Sequence, residues 1–195
     1  MTNTRHTART HRTHAHETDT TATATRARTA VLSAATITMG LSAGVFYIFA
    51  CAVMPALARS DDRTYVEVMR NINTVIQNPV FLLGFMGALL LTALSAWQLR
   101  RTPCGRWVRA ALLAYALVFL VTMAFNIPLN NALAAPGTPS ALRERFEGPW
   151  VAWNAVRAVG SALALGLLTR TLLLYGRFGR AARSGTVGTC PSCSG

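Results

Sequence analysis

Charge is scarce in this chain and unevenly spread: 13% of its 195 residues are charged, and lysine is absent altogether. No charged residue occurs between Arg28 and Arg59, between Arg70 and Arg100, or between Arg109 and Arg143. Each gap holds an apolar run longer than the ~20 residues that cross a ~30 Å hydrocarbon layer. A fourth run, Trp150 to Leu174, is interrupted only by Arg157 and Arg170. A soluble bundle needs polar faces recurring at helical period, and these runs lack them. The spacing predicts four transmembrane helices, over 31–57, 79–99, 107–130 and 150–174, in an all-α integral membrane four-helix bundle. Acids are missing from all four runs, and no internal repeat is visible, so an ion- or proton-coupled transporter has no coupling group to use.

A net charge of +12 raises the question of nucleic acid, which the placement of the arginines answers. Thirteen lie in the leading tail, between the second and third runs, and in the closing segment. The other two connections carry five arginines matched by five acids, Asp61, Asp62, Glu67, Glu144 and Glu147. By the positive-inside rule both termini face the cytoplasm, the N-in/C-in arrangement of a multi-pass cell-membrane protein. The excess charge encodes topology. With no basic helix or aromatic-studded groove, no nucleic-acid partner is expected.

Residues 1–30, rich in Thr, Ala, Arg and His, cannot build a core and are expected to be a disordered cytoplasmic tail. Its four histidines, His6, His11, His14 and His16, are irregularly spaced for a metal site. The membrane domain covers 31–175, and 176–195 is expected to be a flexible cytoplasmic tail. There, Cys190-Pro-Ser-Cys193 has neither the βαβ context of a redox motif nor a second CxxC to complete a zinc site, so no metal is expected. The first apolar run is about twice the length of a signal-peptide core, so it reads as an anchor, ended by Pro55. Thr36, Gly40 and Gly44 form a small-residue stripe suited to close packing in the bundle or in a homo-oligomer. Ser60-Asp-Asp then caps a short amphipathic helix in the first outer loop, on which Tyr65, Met69, Ile72 and Ile76 recur at helical spacing. Residues 134–149, with three prolines and two glycines, read as a second outer loop.

The strongly polar residues of the membrane domain gather at one end. The third helix ends in Asn126-Ile-Pro-Leu-Asn130, two carboxamides on one face, with Pro128 depriving the Ala124 carbonyl of its helical donor. Asn73, Gln77 and Asn78 stand at the mouth of the second helix. The fourth opens with Trp153, Asn154 and Arg157, the arginine about 10 Å deeper than Trp150. Snorkelling to the interface is one fate for Arg157; the other is to point inward, toward carboxamides or an anionic ligand. Three helices therefore outline a pocket with one positive charge, amide donors and apolar walls, suited to a flat lipophilic molecule whose oxygen carries negative charge.

The ordered motifs MRNINTVIQNPVF, FNIPLNNALA and WVAWNAVR, each at a helix end, resemble the anthrone oxygenase family of small four-helix membrane proteins. The resemblance covers about residues 31–175, with Asn73, Asn126, Pro128, Asn130, Trp153, Asn154 and Arg157 at the matching positions. It implies an oxidoreductase, a cofactor-independent monooxygenase that uses O2 as co-substrate to turn a polyketide-like anthrone into an anthraquinone. Asn73, Asn126, Asn130, Asn154 and Arg157 are then candidate catalytic residues, and Gln77, Asn78 and Trp153 candidate substrate-binding ones. Relatives often carry His after the fourth-helix Asn, where this chain has Ala155, and no His, Asp or Glu lies in the spans to act as base. Two further readings stay open: a non-catalytic small-molecule-binding or export-accessory protein, and a structural membrane subunit in which the cluster is interhelical glue.

Overall fold

A computed structural model describes the backbone of residues 4–184 and the side chains of 23–177. Among these residues every regular element is helical: α1 (Thr4–Ile48), α2 (Met54–Leu57), α3 (Asp62–Val75), α4 (Pro79–Gln98), α5 (Gly105–Val121), α6 (Ile127–Ala134) and α7 (Pro139–Ser184). Four stretches are long and apolar enough to cross a membrane: Thr23–Leu57, Pro79–Gln98, Gly105–Ala134 and Pro139–Arg177. The histidine side chains of the N-terminal tail and the Cys190/Cys193 pair lie outside the described residues.

Neighbouring spans pack in a ring, α1 on α4, α4 on α5, α5 on α7 and α7 on α1. Its interior is a core that includes Leu32, Met39, Phe46, Phe85, Tyr115, Val118 and Leu168. Leucines 41, 83, 90, 113 and 117 are all exposed on the outside. So many bare leucines suit lipid rather than water, and the chain is a multi-pass membrane protein. Two spans come close at Gly160, where an added Cβ would lie 2.7 Å from Val118 Cγ2. Gly40 of the expected small-residue stripe only reaches ordinary contact with Leu165, at 3.8 Å, and Gly44 meets nothing within 4 Å.

Both α1 and α5 widen into a π-turn shortly before a proline. Over Phe49–Val53 the Met54 amide reaches back to the Phe49 carbonyl, and over Thr122–Asn126 the Ile127 amide reaches the Thr122 carbonyl. Pro55 and Pro128 cannot donate to Cys51 and Ala124, and the wider turn absorbs the gap without breaking the helix. Pro55 is thus carried inside the helical path, which ends at Leu57.

Helix α3 packs as a cap on the bundle. Asp61 starts it, its Oδ1 accepting from the Thr64 amide at 3.0 Å and its Oδ2 from the Thr64 hydroxyl at 2.6 Å. Those two bonds hold the Asp61 carboxyl below its ordinary range. Tyr65, Val66 and Met69 are buried in a second core with Met54, Leu133, Phe146 and Trp150. Two arginines bind the cap to the spans by covering carbonyls at helix ends. Arg70 donates to Leu133 and Ala135 at 2.9 and 2.8 Å. Arg143 donates to Ala58, Ser60, Asp62 and Glu147 at 2.7–3.0 Å, with its guanidinium 4.6 Å from the Tyr65 ring centre.

One expectation is overturned here. The segment 134–149 is not a loop: α7 starts at Pro139 and continues through Pro149. An interior proline costs roughly 3 kcal/mol. Burial of Phe146 and Trp150 on either side of it offsets this, at about 1.5–3 kcal/mol for each large apolar side chain.

Candidate functional site

Between the ring of spans and the α3 cap lies a cavity of about 320 Å³. That is within the size range of small-molecule sites, roughly 300–1,000 Å³. Its floor and sides are aromatic, with Phe46 and Phe49 from α1 and its π-turn, Phe81 and Phe85 from α4, and Trp150 from α7. The Phe81 and Phe85 rings are stacked at 5.9 Å, and Phe85 stacks in turn on Phe119 at 5.6 Å.

Arg157 supplies the charge. Its side chain does not snorkel: the residue is 7% exposed and turned into the bundle. The guanidinium lies 4.5 Å from the Phe46 ring centre and 5.3 Å from that of Trp150, while Nη2 donates to Asn154 Oδ1 at 3.0 Å. Nε is buried without a partner. Among the described residues no carboxylate pairs with it; every ion pair there involves Arg63 or Arg143. A buried guanidinium held by rings and one amide oxygen is incompletely compensated, and an anionic ligand oxygen would complete it.

The carboxamides divide by what already occupies them. Asn154 is committed on both sides, accepting from Arg157 and donating to the Phe46 carbonyl at 3.1 Å, so it holds the guanidinium in place. Asn130 accepts from Trp150 Nε1 at 2.9 Å, which fixes its amide orientation and leaves Nδ2 as the donor toward the cavity. Asn126 is 1% exposed, and neither its Nδ2 nor its Oδ1 has a partner. The π-turn of Thr122–Asn126 delivers it there, with the Thr122 hydroxyl donating to the Val118 carbonyl at 2.8 Å on the way. Asn73 lines the wall with its Nδ2 buried and unpartnered, and Gln77 lies at the rim, its Nε2 donating to the Asn73 carbonyl at 2.9 Å.

Asn73, Gln77, Asn126, Asn130, Asn154 and Arg157 therefore share one cavity. Asn78 and Trp153 stand apart from it. Asn78 is the cap of α4, accepting from the Phe81 amide at 3.0 Å and donating to the Val75 carbonyl at 2.9 Å, so its amide serves the α3–α4 junction. Trp153 lies flat on Phe125, with ring centres 3.9 Å apart, and pins the π-turn to α7. The tryptophan in the cavity is Trp150, one helical turn earlier, which was not among the site residues expected from the sequence. Its two duties, against Arg157 and on Asn130, depend on α7 continuing through Pro149.

Residues 73–167 match the family model described as anthrone oxygenase. Over that stretch the chain belongs to the anthrone oxygenase family. The match begins at Asn73 and contains every polar residue lining the cavity, whereas the α1 wall of Val45, Phe46 and Phe49 lies outside it. No curated relative and no solved structure matches the chain significantly.

Proposed function

We propose that this chain is a cell-membrane oxygenase, with both termini cytoplasmic, that oxidises a flat, lipophilic phenolic ketone of the anthrone type with O2 and no cofactor. The observation that carries the proposal is the pair of unfulfilled buried groups facing one aromatic cavity: Arg157, with Nε unpartnered and no carboxylate beside it, and Asn126, with its whole amide unpartnered. Loss of a proton from the anthrone methylene leaves an aromatic anion whose charge concentrates on oxygen. Arg157, Asn126 and the Asn130 Nδ2 are donors for that oxygen, and Asn154 holds the arginine in place. The anion passes one electron to O2, and recombination with proton uptake gives a hydroperoxide. Loss of water leaves the quinone: CH2 and O2 become C=O and H2O. Arg157 is the single titratable residue of the cavity wall, so the proton leaves to water by way of the polar rim.

Membranes containing the protein should convert anthrone under O2 and not under argon. Arg157→Met should lower turnover by about 10²–10³-fold, the usual effect of removing one oxyanion donor. Equal turnover in a folded Arg157→Met protein would remove the oxyanion argument. The lack of a carboxylate, imidazole or phenol in the wall favours a second reading, a binding or export-accessory protein. In that case anthrone binds to the wild type and O2 is not consumed.

A further inference from the structure

The cavity reaches the surface along two margins of opposite character. At the α3 end, Gln77 and Asn131 are exposed and bring carboxamides to the rim. Between α4 and the Thr122–Asn126 turn with the start of α6, the wall is made by Leu82, Met86, Met123 and Ile127. These four side chains line the cavity and are also 37–45% exposed on the outside of the ring. All four lie within the apolar spans, Met86 seven residues beyond Pro79 and so about 10 Å below the end of its helix. The second margin therefore opens where hydrocarbon, not water, surrounds the protein. Two of its four gateposts are methionines, whose unbranched side chains move aside at little cost.

Resting on the oxygenase reading of the same cavity, we infer that the aromatic substrate enters sideways from the bilayer, through the seam of Leu82 and Met86 against Met123 and Ile127. An apolar polycycle is concentrated in the hydrocarbon and meets this seam without passing through water. It then slides against Phe81 and Phe85 with its oxygen leading toward Asn126 and Arg157. The carboxamide rim is left to water and protons.

The test uses the full chain in phosphatidylcholine nanodiscs and tritiated anthrone under argon, so that binding is read without turnover. Met86→Trp with Met123→Trp should slow association and dissociation alike by about tenfold with little change in Kd, because a gate acts on rates rather than on the bound state. The single variants Leu82→Trp and Ile127→Trp should do the same more weakly, which keeps the test available if the double variant does not fold. Leu163→Trp and Leu113→Trp, on exposed surface of α7 and of the deeper part of α5, away from the seam, should bind at the wild-type rate. Wild-type association in the seam variants would overturn lateral entry and leave the site standing. Failure of the wild type to bind anthrone would overturn the oxygenase reading and the entry route together.

Discussion

At the scale of single residues, the cavity is held together by an uneven use of amides. Asn154 spends both of its polar atoms on the protein, whereas Asn126 spends neither. An unpartnered buried amide costs about 1–3 kcal/mol. Replacing Asn126 with Leu should therefore raise thermal stability in detergent by about 1–2 kcal/mol while turnover of anthrone collapses, a trade expected where a polar group is kept for a ligand. A loss of both stability and activity would mean instead that Asn126 is structural glue. Which of the carboxamides keep polar atoms free of protein partners could not be read from the sequence. Asn126, Asn130 and Asn154 are alike in composition and spacing, and their difference lies in partners contributed by Phe46 and Trp150 from other parts of the fold. The place of Trp153 outside the cavity lining was hidden for a related reason, since spacing along α7 does not reveal that Phe125 stands opposite it.

At the scale of elements, the helices that matter most to the site are those that break a local rule. Proline and glycine in 134–149 read as a loop because their intrinsic cost is local, whereas the burial of Phe146 and Trp150 that outweighs it comes from α3 and α6. Gly160 of α7 leaves no room for a Cβ against Val118 of α5, so Gly160→Ala should destabilise the bundle by about 1–3 kcal/mol, as overpacking against a stiff valine does; denaturation in mild detergent would read it. Arg143→Met should free α3 from α7 and raise the hydrogen-exchange rate of α3 amides well above that of the spans. The cap also has two titratable limits. Asp61 has a lowered value in the fold, so its contribution is complete above the ordinary carboxylate range and is lost as pH falls through the folded value. Tyr65 has a value raised mainly by burial, so its contribution is complete below its ordinary value near 10 and is lost as pH rises through the folded one. Exchange of α3 amides measured against pH should show protection failing on both sides.

At the scale of the whole molecule, the four spans and the amphipathic α3 were legible because hydropathy and charge gaps act over twenty residues and need no knowledge of neighbours. Their expected limits of 79–99 and 107–130 stand beside observed spans of Pro79–Gln98 and Gly105–Ala134. The two π-turns were not legible, since a proline near a helix end is equally compatible with a plain terminator. The orientation carried by the arginines is a prediction of its own: reporter fusions at both termini should report the cytoplasm, and one outside would reverse the assignment of sides.

A π-turn gives a helix one residue more than its length requires, and that surplus sets the angular phase of everything after it. Rewinding 122–126 to 3.6 residues per turn with all five residues kept would swing the following segment by roughly 90° and rotate Asn130 off Trp150. A relative one residue shorter there would hold the same phase with a plain α-turn, so the wide turn and its extra residue come or go together.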